Sequence, residues 1–356
     1  MRILIDIGHP GHVHLFKNFA KEMQKKGHEF LFTCREKEFE IELLKAENLN
    51  YVSFGKKYNT TFGKLFGLLK FDIMACIQGL KFKPDIFMSH GSPYAAHASA
   101  ILNTPHISME DTGNMEQVRL YLPFTESVLT SNSFHKNLGN KQIQYKGYHE
   151  LAYLHPNRFT PNAKIYDLLK ITRETKYVIL RFVSWNASHD INQTGLSISE
   201  KREIITYLEK KYTVFISSEG QLPEEFSRYQ IKIPPEEMHN ALAFASMFIG
   251  EGATMASESA VLGTPAIYIN SIMAGTINDQ AAHGLLFNFE NGTGVLSKIK
   301  ELDKIPDLKE VFRKKREQLL EDKIDVTSFM IWFVENYPKS KTMTPNLINY
   351  NIPSHD

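Results

Sequence analysis

Short apolar runs alternate with helix-length segments along the first third of the chain, and this alternation restricts the fold more than any other feature. Arg2–Ile7 is predicted as the first strand, and the helix predicted over His12–Lys26 ends at Gly27, a common helix stop. Units of strand, helix and strand build parallel sheets that are covered by helices. The further strands predicted here are His28–Thr33, Asp85–Met88, His106–Ser108, Ser127–Leu129 and Gln142–Tyr145. We therefore predict a doubly wound α/β domain.

The same pattern starts again after Pro156–Asn162, where prolines and asparagines replace the periodic apolar residues, as is typical of a domain boundary. A chain of 356 residues also fits two domains of about 100–200 residues each. The elements predicted next are the strands Tyr177–Phe182, Thr213–Ser217, Met247–Ile249 and Ala266–Ile269 and the helices Ser199–Lys211 and Pro235–Ala245. We predict an N-terminal domain over 1–160, a C-terminal domain over 161–336 and an extended tail over 337–356.

A formal net charge of +1 and only two cysteines, Cys34 and Cys76, argue against several classes of protein. Nucleic-acid-binding proteins concentrate basic residues on one face, a disulfide framework needs more cysteines, and no Cys/His spacing here resembles a zinc site. The N-terminus begins directly as a strand pattern, without the regions of an export signal. We expect a cytoplasmic protein that has no nucleic-acid partner. Residues 60–83 mix large apolar side chains with lysines, which is compatible with a peripheral membrane contact or with a helix packed in the core.

The loop after the first predicted strand, Gly8–His14, combines glycines with three histidines. Ligands of parallel sheets collect at the carboxyl ends of strands, where a helix N-terminus also favours anions. Gly11 would let a ligand approach the backbone, and His12 could act on the substrate as a base or a hydrogen-bond donor near neutral pH. Helix capping and a core histidine are the structural alternatives. The glycines do not form the G-x-G-x-x-G fingerprint, so NAD binding is not predicted.

A second loop of small residues follows the predicted strand Met247–Ile249 and opens another helix. Its members Gly252, Ala253 and Thr254 form a turn in which backbone N–H groups could bind a phosphate. Glu258 lies one helical turn beyond Thr254 on the same face, where a carboxylate could accept hydrogen bonds from ribose hydroxyls.

The run from Pro235 to Pro265, P-x-E-M-x-x-A-x-x-x-A-x-x-x-I-G-x-G-A-T-M-x-x-E-x-x-x-L-G-T-P, resembles the donor-binding half of GT-B glycosyltransferases. It is most similar to the lipid-II-forming N-acetylglucosaminyltransferase and more distantly similar to the UDP-GlcNAc 2-epimerases. The resemblance implies two Rossmann-like domains that face a central cleft. It also implies that the glycine turn seats a diphosphate, that Glu258 meets the ribose, that Met238 lies near the base and that Gln280 touches the donor sugar.

Nearly the whole chain is similar to a GT-B-like family of bacteria and archaea that is known as a domain of unknown function. The segments that carry this resemblance are His12–His14, Ser89–Ser92, Glu110–Thr112, Gly147, Glu150–Leu154, Arg181–Asp190 and the glycine turn. A fold of this kind hosts many activities, so the family implies the architecture more firmly than the reaction. Relative to the transferases, Glu251 stands where a neutral or basic residue is usual, and Arg181 could supply the missing positive charge.

Two further groups of polar residues follow predicted strands. Trp185 could stack on a sugar or base, while Ser188 and His189 could reach a phosphate; a well-packed loop is the alternative. Glu110 and Asp111 come just after His106–Ser108, and in the 2-epimerases a carboxylate in a similar position works in acid/base chemistry. Either residue, or the nearby Glu116, could therefore be a general base, although an ordinary turn or helix cap is equally compatible.

The sequence contains neither a D-x-D motif for a metal nor a P-loop, so we expect no metal and no cofactor besides a nucleotide-sugar substrate. The leading hypothesis is a metal-independent GT-B glycosyltransferase that moves a sugar from a donor, most simply UDP-linked, to an unknown acceptor in surface polysaccharide or glycoconjugate synthesis. One alternative is 2-epimerisation of a UDP-N-acetylhexosamine. The other is a non-catalytic nucleotide-sugar binding protein.

Overall fold

The computed structural model describes residues 1–56, 58, 61–182, 195–218, 221–271 and 275–342. These residues form two compact units, one of residues 1–158 together with the C-terminal segment from 324, and the other of Phe159–Lys323. The helices are α1 Pro10–Lys25, α2 Glu40–Ala46, α3 Thr61–Phe82, α4 Pro93–Ile101, α5 Met115–Tyr121, α6 Leu151–Leu154, α7 Ile165–Leu168, α8 Ile198–Leu208, α9 Met238–Phe244, α10 Ala253–Val261, α11 Gly275–Ala282, α12 Val295–Leu302, α13 Leu308–Asp322 and α14 Val326–Glu335.

The first unit is built on a parallel sheet of seven strands in the order β3-β2-β1-β4-β5-β6-β7. The strands are β1 Arg2–Ile7, β2 Glu29–Glu36, β3 Tyr51–Lys56, β4 Ile86–His90, β5 His106–Glu110, β6 Ser127–Ser131 and β7 Gln142–Tyr145. Every residue of β4, β5 and β6 is buried, because helices cover both faces of the sheet. The strands predicted for this domain are confirmed.

The second unit has a five-stranded parallel sheet in the order β12-β11-β10-β8-β9. Its strands are β8 Tyr177–Phe182, β9 Thr213–Ser218, β10 Met247–Gly250, β11 Ala266–Ile269 and β12 Leu286–Phe289. The prediction missed β3 and β12, and both are edge strands. Most of their residues are only partly buried, so the strong apolar signal of a central strand is absent from them.

The C-terminal boundary of the predicted domain over 161–336 is wrong, because α14 packs in the first unit. Thr327 Oγ1 donates to Ala152 O at 2.7 Å, and Arg158 Nε donates to Asp325 Oδ2 at 2.8 Å. The start of the predicted tail forms a short helical turn, Lys339–Lys341, rather than an extended arm. Residues 343–356 lie outside the described part of the chain. Within the described residues, no helix is both long and apolar enough to cross a membrane.

Candidate functional site

Histidines and a carboxylate meet where neighbouring strands of the first sheet end. His90 is the last residue of β4, and Asp111 directly follows β5, the strand next to it. His12 lies in the first turn of α1, which follows β1 on the other side of β4. His149 lies two residues before α6. We call these four residues the histidine cluster.

Asp111 lies between two imidazoles. His90 Nε2 is 2.8 Å from Asp111 Oδ1, and His149 Nδ1 is 2.9 Å from Asp111 Oδ2. The ring of His12 stacks on the ring of His90, with 4.3 Å between centroids and 27° between planes. His149 Nε2 is buried and has no hydrogen-bond partner among the described residues.

The protonation states follow from these contacts. Burial and then the nearby His90 hold the pKa of His12 well below its ordinary value of 6.5. Burial alone would also lower the pKa of His90, but the charge and hydrogen bond of Asp111 raise it to about 9. Burial opposes ionisation of Asp111, yet the two flanking histidines hold its pKa well below 3.8. At neutral pH the cluster therefore contains a neutral His12, a cationic His90 and an anionic Asp111.

The backbone around α1 determines what His12 can do. Gly8 N donates to His12 Nδ1 at 3.2 Å, so the proton of the neutral ring is on Nε2. His12 is thus set up to donate a hydrogen bond rather than to act as a base. Gly11 has a structural role, because its N–H donates at 3.1 Å to Nδ1 of His9, the residue that caps α1. Capping, one of the alternatives for the loop histidines, is what the structure shows for His9.

The carboxylate of Glu110 is fully used inside the loop that follows β5. Its Oε1 accepts from Thr112 N, Thr112 Oγ1 and Gly113 N at 2.7–3.0 Å, and its Oε2 accepts from Tyr121 OH at 2.7 Å. Glu110 is 2% exposed. This geometry gives it a role in holding the loop, and we assign it no proton transfer.

His90, Asp111 and His149 are also the one group of described residues that could hold a metal ion, with one ligand atom of each within 4.8 Å of the others. Two histidines and a carboxylate suit a divalent transition metal. Both carboxylate oxygens, however, already accept hydrogen bonds from the imidazoles. A metal bound there would replace both of these hydrogen bonds.

A second group of polar residues surrounds the turn between β10 and α10. Gly252 is the N-cap of α10 and offers no side-chain acceptor, so the first N–H groups of the helix are not capped by it. A Cβ at Gly250 would lie 2.8 Å from Arg181 O, which explains why glycine stands there. Arg181, near the end of β8, passes beside Gly252, and its Nη1 donates to Ser217 Oγ at 2.9 Å.

The negative charge of Glu251, the acidic residue beside this turn, is compensated by a buried lysine and a backbone N–H group. Lys201 Nζ lies 3.3 Å from Glu251 Oε1, and Leu196 N donates to the same oxygen at 2.9 Å. Both Glu251 and Lys201 are buried. Because the carboxylate is paired with Lys201, the negative charge beside the turn is compensated.

The remaining predicted contacts of the second unit differ in accessibility. Thr254 is exposed and Met238 is partly exposed, whereas Glu258 is buried with its Oε1 3.0 Å from His239 Nε2. Gln280 is completely buried, and its Nε2 donates to Ser257 Oγ at 2.7 Å. In this conformation Gln280 orients Ser257 and is closed to a sugar. The predicted residues Trp185, Ser188 and His189 lie outside the described residues.

The structure places His90 and His149 in the histidine cluster, and the sequence analysis gave neither residue a functional role. His90 stands in the recognised segment Ser89–Ser92, and His149 stands between Gly147 and Glu150 of another. For His90 the available signal was a histidine at the end of a buried strand, whereas His149 lies four residues after the partly exposed strand β7 and had no such signal.

Two parallel-sheet α/β domains define the class of this protein, which has the GT-B-type architecture. The chain belongs to the family described as "Protein of unknown function (DUF354)", whose model matches residues 1–330. An uncharacterised protein of Methanocaldococcus jannaschii is 26% identical over 281 residues, which cover 74% of this chain and 80% of that protein.

Solved structures support the same fold. The UDP-GlcNAc 2-epimerase of Neisseria meningitidis, bound to UDP-GlcNAc, has a TM-score of 0.68 at 15% identity over 94% of this chain and 100% of its own. The glycosyltransferase SsfS6 of Streptomyces sp. SF2575 has a TM-score of 0.58 at 12% identity, again over 94% of this chain and 100% of its own.

Proposed function

We propose that the protein is an enzyme that acts on a nucleotide-sugar. The observation that carries this proposal is the start of α10, where N–H groups that Gly252 leaves without a side-chain cap lie next to the guanidinium-bearing side chain of Arg181. A helix N-terminus and a cation together suit a diphosphate. Similarity of fold to a UDP-GlcNAc-bound epimerase supports a uridine nucleotide as the ligand.

The second unit would hold the nucleotide. The N–H groups of Ala253 and Thr254 and the side chain of Arg181 bind the diphosphate, and Met238 lies near the base. Glu258, held by His239 at 3.0 Å, is the residue for the ribose hydroxyls. Lys201 keeps the charge of Glu251 compensated while the diphosphate binds.

The first unit would supply the groups that move protons. Asp111 orients the ring of His149 through Nδ1, as in an oriented general base, and an acceptor hydroxyl would have to reach Nε2, which is buried in this conformation. His12 donates a hydrogen bond from Nε2 to the substrate, and the His90 cation balances the charge of Asp111. For His12 this proposal takes the hydrogen-bond-donor alternative, and it assigns Glu110 and Asp111 roles other than the predicted general base.

Glycosyl transfer is the reaction that this cluster fits best, because one base is enough to deprotonate an acceptor hydroxyl while the diphosphate leaves. Epimerisation at C2 needs several carboxylates around the sugar. In and beside the histidine cluster, the carboxylate of Glu110 accepts hydrogen bonds from the loop after β5 and from Tyr121, and the carboxylate of Asp111 is bound by two imidazoles. We propose that the transfer proceeds without a metal.

Epimerisation of a UDP-N-acetylhexosamine is the second candidate, since the epimerase has a higher TM-score than the transferase, 0.68 against 0.58. Incubation with UDP-GlcNAc in D2O separates the two reactions. Deuterium at C2 without any acceptor would establish epimerisation and overturn transfer. Transfer predicts no deuterium at C2.

The proposal as a whole is tested by calorimetric titration with UDP, GDP, CMP and their sugars. We expect binding of a uridine nucleotide and weaker binding of the others. If none of these ligands binds, the protein is not a nucleotide-sugar enzyme. Binding without turnover in the presence of candidate acceptors, and without deuterium exchange, would favour the non-catalytic alternative.

A further inference from the structure

Helix α3 carries a row of large apolar side chains that face solvent. The row consists of Phe66, Leu69, Ile73, Ile77 and Leu80, which are 42–62% exposed, and we call it the α3 stripe. Spacings of three and four residues place all five on one face of the helix. The opposite face, with Phe71 and Ala75, is packed into the core of the first unit.

The apolar surface continues from the α3 stripe onto neighbouring elements. His97 of α4 connects them: its Nδ1 lies 3.0 Å from Asp72 Oδ2 of α3, and its Nε2 donates to Leu120 O at 3.0 Å. The ring of Phe124 lies 4.9 Å from the His97 ring. Leu120 and Phe124 are 46% and 47% exposed, and Ile101, one turn beyond His97, is 70% exposed.

The size of this surface is sufficient for a stable protein contact. A large apolar side chain that is about 60% exposed leaves on the order of 100 Å² open, so the α3 stripe offers roughly 500 Å². With the three neighbouring side chains the surface approaches about 800 Å², the amount each partner buries in a standard interface. The largest apolar patch of a typical monomer is about 300–600 Å².

The spacing of the α3 stripe is symmetric about Ile73. Leu69 and Ile77 lie four residues on either side of it, and Phe66 and Leu80 lie seven residues on either side. A two-fold axis through Ile73, perpendicular to α3, would place an antiparallel copy of the helix against this one. Leu69 would then face the partner's Ile77. Closed dimers use self-complementary surfaces of this kind.

We infer that the α3 stripe is the interface through which a second copy of this chain binds, with the two copies of α3 antiparallel and Ile73 at the two-fold axis.

The charges around the stripe are compatible with a second copy, whereas the size of the stripe and its symmetry about Ile73 favour one over an anionic membrane. Helical spacing places Lys70 and Lys81 along one edge of the stripe, whereas the acidic Asp72 lies along the other. A helix that lies on an anionic membrane carries cations along its polar face. In the antiparallel pair, Lys70 faces the partner's Cys76, so like charges do not oppose each other across the axis.

The first test is the oligomeric state of the full chain, measured by light scattering and sedimentation over a range of concentrations. We expect a dimer, and we expect Ile73→Asp to convert it to a monomer with an unchanged circular dichroism spectrum. Leu168→Asp is the matched control, because Leu168 is 41% exposed on α7 of the other unit. It should remain a dimer. A monomeric parent chain, or a dimer that Ile73→Asp leaves intact, overturns the inference.

Cross-linking tests the register of the two helices. In a Cys76→Ala background, Ile73→Cys should form a disulfide-linked dimer on oxidation, because residues at a two-fold axis bring their Cβ atoms within bonding range. Leu69→Cys and Ile77→Cys proteins should cross-link efficiently when mixed and poorly when each is alone. Equal cross-linking of each alone would overturn the antiparallel register.

The membrane alternative is tested with vesicles of neutral and anionic phospholipid in a 7:3 ratio, a composition chosen only to carry negative charge. The dimer predicts that the protein stays unbound in a flotation assay, because the stripe is covered. A monomer that floats with the vesicles and loses binding on Ile73→Asp would replace the dimer by membrane docking.

Discussion

Replacing Asp111 by Asn removes the anion that keeps His90 protonated. The Asp111 charge raises the pKa of His90 from an ordinary 6.5 to about 9, and each unit of such a shift is worth about 1.4 kcal/mol. The full shift would correspond to about 3 kcal/mol, but the Asp111 side chain is 34% exposed, so solvent screening reduces the effect. We expect Asp111→Asn to lower the free energy of unfolding of the first unit by about 1–2 kcal/mol at pH 7.

The sign of the pH dependence follows from the direction of the shift. Because the folded-state pKa of His90 is raised, its contribution is fully present below about pH 6.5 and is lost as the pH rises through about 9. Denaturant unfolding at pH 6, 7.5 and 10 should therefore show the difference between parent and variant shrinking at pH 10. Histidine NMR titration should show the His90 pKa falling in the variant. A stability difference that is independent of pH from 6 to 10, or an unchanged His90 pKa, would refute the reasoning.

Three further predictions concern the glycine turn and the loop after β5. Arg181→Met should weaken UDP binding about tenfold or more in calorimetry, because it removes a charge-assisted contact. The control Arg228→Met changes an exposed surface arginine and should leave the affinity unchanged. Equal affinities of the two variants would exclude Arg181 from the diphosphate site. Lys201→Met should lower the free energy of unfolding by about 3 kcal/mol, because it removes the cation that pairs with the buried Glu251. Adding Glu251→Gln should recover most of that loss, and a double variant that is no more stable than Lys201→Met would contradict the pairing. Glu110→Gln should lower the melting temperature of the first unit by several degrees while KM for the donor stays unchanged, and a fall in kcat without any loss of stability would show that Glu110 acts on the substrate.

The central strands of both sheets could be predicted from the sequence because each is a short buried apolar run. The edge strands β3 and β12 were missed, because periodicity in such short runs does not separate a strand from a helix segment or a loop. The sequence also did not show which of the two units α14 packs against. Its apolar sequence indicates a buried helix, but which unit covers it depends on contacts with residues about 170 positions earlier, such as Thr327 with Ala152.

The candidate site shows a similar division. The glycine turn and its helix were predictable because local sequence determines where the helix begins and where glycine is required. The roles of the residues in the histidine cluster were not predictable, because they depend on side chains that different strands bring together. Asp111 was identified, but its partner His90 ends β4 and its partner His149 lies between β7 and α6. Glu110 and Asp111 look equivalent in sequence, and only the hydrogen bonds show that one holds the loop and the other holds the histidines.

A crystal of the full chain soaked with UDP tests the central claim most directly. The account predicts the diphosphate at the start of α10, within hydrogen-bond distance of the N–H groups of Ala253 and Thr254 and of the Arg181 guanidinium, with the ribose at Glu258. A uridine nucleotide bound elsewhere, or an unoccupied turn at a saturating concentration of UDP, would contradict it.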